Sequence, residues 1–175
     1  MKSKRKRKRE KEYSWYVIVD SREQKPWKFS NSKTKGLTTG DYSIEGCEDK
    51  IAVERKSVSD AISSVTSNRK RFEKEWVRAK SLDYFAVVIE GSFRDIYRAV
   101  GVQNKINEKK GKSRRKLSAE SVIATYIKWQ VKYPWVHVFF TGGRSEAKGI
   151  VRRIFEGYLR YLTEGYFDGG SWGFG

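Results

Sequence analysis

The chain has 175 residues, and its 38 Lys and Arg against 21 Asp and Glu give a net charge of +17. This length favours a single domain with one sizeable core. Aromatic side chains make up 14% of the sequence, which excludes a wholly disordered protein. No apolar run approaches the ~18 residues that a membrane span needs, and the basic start lacks the apolar stretch of a secretory signal.

Cysteine and histidine occur once each, as Cys47 and His137. A single cysteine excludes an internal disulfide and suits a reducing compartment, so we expect an intracellular protein of the cytoplasm or nucleoid, or of the nucleus in a eukaryote. The two residues cannot supply a four-ligand zinc site. The GxSxG elbow, the GxGxxG fingerprint and a complete phosphate-binding loop are all missing, which argues against a serine hydrolase and against a nucleotide cofactor.

Strands and helices are predicted to alternate along the chain. Runs rich in β-branched and aromatic residues predict five strands, at Tyr13–Asp20, Leu37–Ile44, Ile51–Arg55, Tyr84–Glu90 and Val136–Phe140. Helical spacing predicts a helix capped by Ser57, a short one over Phe93–Val100, and two longer ones over Ser118–Tyr133 and Glu146–Tyr161. The polar segment Glu23–Lys35 is predicted to be a loop. The order indicates an α/β fold with a mixed central sheet of about five strands flanked by helices.

Positive charge is concentrated in two segments. Residues 1–12 hold eight Lys or Arg and two Glu, and Lys105–Lys116 holds seven basic residues and one Glu. We expect a disordered basic arm at 1–12, a folded domain at 13–166 and a flexible Gly-rich tail at 167–175. The two basic segments are typical of a protein that binds nucleic acid. The alternative is a solubility tail and a solvated loop.

Acidic and basic side chains gather at the predicted ends of the first three strands. Side chains alternate along a strand, so Glu54 and Lys56 share one face and Arg55 lies on the other. A hairpin of the second and third strands can place Asp41 beside Glu54. Carboxylates without nearby His or Cys favour Mg²⁺ or Mn²⁺. A metal, an activated water and a lysine are the parts that phosphodiester hydrolysis requires.

A purely structural role is open for several of these residues. Asp60 can complete a helix cap, and Asp20 and Arg22 can form a structural ion pair. Glu54 and Lys56 can be surface charges at a strand end, and the spacing of acids and lysine is weak by itself.

Three motifs taken together are a much more specific signal than this spacing alone. They are Val19-Asp20-Ser21-Arg22-Glu23, Gly40-Asp41-Tyr42 and Glu54-Arg55-Lys56-Ser57-Val58-Ser59-Asp60. In this order they resemble the nuclease motif of the XPF-type (ERCC4-domain) structure-specific endonucleases, which belong to the PD-(D/E)XK superfamily. The resemblance extends from Tyr16 to Gly91. It implies a restriction-endonuclease-like three-layer fold and a nuclease, dependent on Mg²⁺ or Mn²⁺, that cuts branched, flap or junction DNA.

The resemblance also implies a role for each motif residue. The implied metal ligands are Glu23, Asp41 and Glu54, and Lys56 would orient or activate the water. The implied supporting residues are Asp20, Arg22, Arg55 and Asp60, with the arginines able to contact the scissile phosphate. Two other readings stay open: a DNA-binding module that does not cleave, and a sequence-specific, restriction-like endonuclease. A homodimer that uses the apolar final helix is also open.

Overall fold

The computed structural model describes residues 15–111 and 116–164. The strands are β1 (Val17–Asp20), β2 (Ser32–Lys35), β3 (Tyr42–Ile44), β4 (Ile51–Lys56), β5 (Tyr84–Ile89) and β6 (Val136–Phe140). The helices are α1 (Val58–Val65), α2 (Arg69–Arg78), α3 (Phe93–Lys109), α4 (Ala119–Lys132) and α5 (Arg144–Glu164), with a 3₁₀ turn at Ala79–Ser81. The predicted basic arm and Gly-rich tail lie outside the described residues.

The described strands form one mixed sheet in the order β2-β1-β3-β4-β5-β6. The pairs β1–β3 and β3–β4 are antiparallel, while β1–β2, β4–β5 and β5–β6 are parallel. The predicted α/β fold with a mixed sheet is confirmed. The sheet has one strand more than expected, because β2 lies within the segment predicted as a loop. All four residues of β2 are exposed and polar, so no apolar alternation signals this edge strand in the sequence.

Helices cover both faces of the sheet, which confirms the three-layer fold. On one face, Ala52 of β4 and Phe85 of β5 belong to a core that also contains side chains of α1 to α4. On the other face, Val53 and Val88 belong to a second core with the apolar side chains of α5. β5 is therefore buried on both faces, as its continuous apolar run predicts.

Two helix predictions need correction. The stretch after Ser57 forms two helices, because α1 ends at Thr66, whose backbone leaves the helical conformation and whose hydroxyl donates to the Ile62 carbonyl at 2.9 Å. The predicted short helix at Phe93–Val100 continues to Lys109. Its last turns extend into the basic segment Lys105–Lys116, and residues 112–115 of that segment lie outside the described part.

The final helix packs on the sheet. Val151 and Phe155 are fully buried in the second core, whereas Tyr161 and Leu162 are about half exposed. The homodimer stays a prediction. Within the described residues, no helix is long and apolar enough to cross a membrane.

Candidate active site

The antiparallel pair β3–β4 brings two acidic residues to the same end of the sheet. Tyr42 pairs with Val53, and the Asp41 amide donates to the Val53 carbonyl at 2.9 Å. The Asp41 carboxylate in turn accepts a hydrogen bond from the Arg55 amide at 2.8 Å. Asp41 thus lies beside Glu54, as the predicted hairpin requires.

An open cavity of about 390 Å³ lies at this end of the sheet, between the strand ends and α2. Six of the eight predicted site residues line it: Asp20, Arg22, Asp41, Glu54, Lys56 and Asp60. The other two, Glu23 and Arg55, are not among the described residues that line this cavity. The structure therefore brings most of the predicted site together at one solvent-accessible place.

Lys56 is held inside the cavity. Its ammonium forms an ion pair with Glu54 and lies 4.4 Å from the centre of the Phe72 ring. Burial by itself lowers the pKa of Lys56, but the charge and hydrogen bond of Glu54 outweigh it, so the pKa lies above its ordinary value. Lys56 is therefore a cation, fixed in position beside the acids.

Glu75 of α2 is a cavity residue that the sequence did not indicate. It lines the same space and shares a hydrogen bond with Glu54. Burial, followed by the nearby Glu54 carboxylate, raises the pKa of Glu75. The pKa of Asp41 is also raised, mainly by burial and then by the Glu54 carboxylate. None of the three motifs contains Glu75, and the sequence offers only its place directly before Trp76 on a helix that is mostly basic but also contains Glu73.

Asp20 and Arg22 form the ion pair that was considered for them. The Arg22 Nε donates to Asp20 Oδ2 at 2.8 Å, and the other carboxylate oxygen accepts the Leu37 amide at 3.1 Å. The side chain of Asp20 is almost completely buried, whereas that of Arg22 is exposed. Asp20 thus ties β1 to the chain before Asp41 and supports the cavity wall.

Asp60 forms the helix cap considered for it and also lies at the cavity. The Ser57 hydroxyl donates to Asp60 Oδ2 at 2.6 Å and accepts the Asp60 amide at 3.2 Å, which caps the start of α1. The same carboxylate borders the cavity. His137, in contrast, stacks on Tyr84 with 4.5 Å between the ring centres and takes no part in lining the cavity.

Glu23 and Arg55 belong to a second polar cluster. The Arg55 guanidinium pairs with Glu90 through Nε at 2.9 Å and Nη2 at 2.7 Å, and its Nη1 lies 3.5 Å from Glu23 Oε1. Arg55 points to the opposite face from Glu54, as strand alternation predicts. No three acidic, His or Cys side chains in the described ranges form a metal-binding group. One oxygen of Glu23, Oε1, contacts Arg55 and accepts a hydrogen bond from the Lys25 amide. The joint binding of a metal by Glu23, Asp41 and Glu54 stays a prediction.

A comparison with family models matches the ERCC4 domain over residues 8–154. This chain belongs to the ERCC4 domain family. The matched segment includes the cavity residues from Asp20 to Arg78 and the cluster around Glu90. A comparison with curated proteins gave no match.

Two solved structures of XPF from Aeropyrum pernix are similar to this ERCC4 domain. The first is 22% identical with a TM-score of 0.58, and the match covers 85% of this chain and 67% of that one. The second, a complex with DNA, is 21% identical with a TM-score of 0.59, and the match covers 83% of this chain and 66% of that one. At these identities the likeness supports the fold, and the chain spans about two thirds of the length of both structures.

The cavity of this ERCC4 domain suits a hard divalent cation with few protein ligands. Mg²⁺ is commonly held by one or two carboxylates, with waters and substrate phosphates completing its shell. Asp41 and Glu54 supply such a pair, and Glu75 is a third carboxyl group in the same cavity. The donor set therefore fits Mg²⁺ or Mn²⁺ at Asp41 and Glu54, and the role of Glu23 as a third ligand stays a prediction.

The crowded acids make stability depend on pH. Since the pKa values of Asp41 and Glu75 are raised in the folded protein, the folded state binds more protons than the unfolded state above about pH 4, and the free energy of unfolding falls as the pH rises. We expect Glu75→Gln to be near neutral at pH 4 and to stabilise the metal-free protein by about 1–2 kcal/mol at pH 8. Urea unfolding at the two pH values measures the change in the free energy of unfolding. An equal change at pH 4 and pH 8 would contradict the prediction.

Gly40 allows the chain to turn into Asp41. Its φ is +75°, and an added Cβ would lie 3.1 Å from the Val53 carbonyl oxygen and from the Ala52 Cβ. Gly40→Ala should therefore lower the free energy of unfolding by about 2–4 kcal/mol, through left-handed strain and crowding together. Gly46→Ala is the matched control, because Gly46 has a φ of +79° and open space around it. Equal losses in denaturant unfolding would show that crowding against β4 adds nothing.

Proposed function

We propose that this chain is an endodeoxyribonuclease, dependent on Mg²⁺ or Mn²⁺, that cuts branched, flap or junction DNA. The observation that carries the proposal is the meeting of Asp41, Glu54 and Lys56 in one open cavity. Membership of the ERCC4 domain family and the likeness to an XPF structure in complex with DNA support it. The net charge of +17 also favours a polyanionic partner.

Each cavity residue has a defined task in this proposal. The Lys56 ammonium orients the attacking water and stabilises the negative charge that develops on the phosphate. Glu54 holds that ammonium in place through its ion pair. The Arg55 amide fixes the direction of the Asp41 carboxylate. A divalent metal at Asp41 and Glu54 would, when bound, supply Lewis-acid polarisation of the phosphate and a more acidic water.

The test is a panel of end-labelled DNA substrates incubated with the full chain and Mg²⁺, with EDTA as control. The panel contains a flap, a three-way junction, a four-way junction, a single strand and the matching linear duplex. We expect cuts near the branch point that need the metal, with little cutting of the linear duplex. Mn²⁺ in place of Mg²⁺ tests whether the site prefers either cation.

Other outcomes would identify the alternatives. Binding to the same DNA without cleavage under any metal would contradict the proposal and support a DNA-binding module. Discrete cuts at one sequence in linear duplex would support a restriction-like enzyme. The ion pair of Glu23 with Arg55 is the observation that favours the non-cleaving module, because it engages one oxygen of an implied metal ligand.

A further inference from the structure

Two arginines of α2 lie at the rim of the cavity. Arg71 and Arg78 both line it, and both are exposed. They are seven residues apart, which is nearly two full turns, so they lie on the same face of the helix with their Cα atoms about 10.5 Å apart along its axis. Neither residue belongs to the three motifs.

The reacting groups lie against the helix turn between these arginines. Phe72, one residue after Arg71, supports the Lys56 ammonium at 4.4 Å. Glu75, three residues before Arg78, shares a hydrogen bond with Glu54. The centre of the cavity therefore faces the middle of α2, and the two guanidinium groups flank it.

The charges of this rim are available to a ligand. The guanidinium of Arg71 forms no hydrogen bond or ion pair with any residue of 15–111 or 116–164, and that of Arg78 acts at a distance on Glu75. Neighbouring arginines differ, since Arg22 pairs with Asp20 and Arg69 pairs with Glu73. Ionised carboxyl groups in the cavity repel a phosphodiester, and cations at its mouth offset this repulsion.

We propose that Arg71 and Arg78 bind two backbone phosphates of the cut strand, one on each side of the scissile phosphate. This inference rests on the proposed function and adds the path of the substrate. The separation of about 10.5 Å between the two Cα atoms, to which the two long side chains add their reach, leaves room for the scissile phosphate between the two bound phosphates. Arginine suits this task because its planar fork can hold a phosphate through two hydrogen bonds.

The test measures DNA binding without cleavage. The full chain carrying Asp41→Asn is titrated in EDTA with a fluorescent flap DNA at several salt concentrations, alone and with Arg71→Gln plus Arg78→Gln. We expect the double change to weaken binding about tenfold or more. It should also reduce the slope of log affinity against log salt by about 1.4–1.8, since each lost phosphate contact removes about 0.7–0.9. Lysine at both positions should restore most of the slope.

The matched control is Lys70→Gln plus Lys74→Gln, which removes the same charge from exposed positions of α2 that do not line the cavity. If the two arginine changes reduce the slope of log affinity against log salt no more than the two lysine changes do, the inference is wrong. Circular dichroism verifies that each variant keeps its helices. Each arginine change made alone should produce about half of the reduction in slope that the double change produces. If the unmodified chain cleaves DNA but the arginine changes leave the salt dependence of binding unchanged, the inference about Arg71 and Arg78 is wrong and the proposed function stands. If the arginine changes reduce the salt dependence but the unmodified chain never cleaves DNA, the proposed hydrolysis is wrong and the inference about the two arginines stands.

Discussion

Asp41→Asn should reduce DNA cleavage by at least about 10²-fold while leaving the fold and DNA binding in place. Asparagine has nearly the same shape, and its side-chain oxygen can still accept the Arg55 amide that now bonds Asp41 at 2.8 Å. What it removes is the carboxylate that, in the proposed function, would hold a divalent cation together with Glu54. Single-turnover cleavage of a flap substrate in saturating Mg²⁺ measures the effect.

The control for this prediction is Glu45→Gln, which also removes one carboxylate charge. Glu45 is exposed and pairs with Lys33, and it does not line the cavity. Its cleavage rate should stay within about threefold of the unmodified chain, as expected for a surface substitution. Equal rates for the two variants, or cleavage by Asp41→Asn at the normal rate, would place the reaction elsewhere or assign it to a contaminant.

The core of the site was predictable because it depends on short-range geometry. Strand alternation places Glu54 and Lys56 on one face whatever the rest of the fold does. A tight antiparallel pair, with a positive-φ glycine just before Asp41, then brings that acid to the same strand end. These relations involve only neighbouring strands, so the residue pattern contains them.

Glu75 could not be predicted in the same way. It reaches the cavity because the chain breaks at Thr66 and starts a new helix at Arg69, which turns α2 back across the strand ends. Tertiary packing holds this helix: Phe72 and Trp76 are buried in the aromatic core with side chains of α4. Such long-range contacts have no periodic signature in the sequence.

The surroundings of Glu23 are a third case, because the residue pattern gives no indication of the groups that this side chain contacts. The motif places this acid just after β1 and implies a metal ligand, but a turn residue can send its side chain to either face of the sheet. The Lys25 amide at 2.6 Å and Arg55 at 3.5 Å hold it. Arg55 lies 32 residues further along the chain, and its main partner Glu90 lies 35 residues beyond Arg55. Only the folded topology shows that this ion-pair cluster exists.

The same cluster should be a large contributor to stability. Glu90 Oε1 accepts hydrogen bonds from Trp27 Nε1 at 2.6 Å, Arg55 Nε at 2.9 Å and Arg144 Nη1 at 2.9 Å. Arg144 also donates to the carbonyl oxygens of Lys25 and Pro26, both at 2.7 Å. One carboxylate thus joins the end of β5, the start of α5 and the loop that follows β1.

Glu90→Ala is therefore expected to lower the free energy of unfolding by about 3–5 kcal/mol, because it leaves the Arg55 guanidinium, which is only 10% exposed, without its main partner. Urea unfolding at neutral pH measures the loss. Glu45→Ala breaks an ion pair whose two side chains are 49% and 45% exposed, and it should cost less than about 1 kcal/mol. Similar losses for the two variants would mean that water or another group replaces Glu90, and that the cluster does not hold the loop to the sheet.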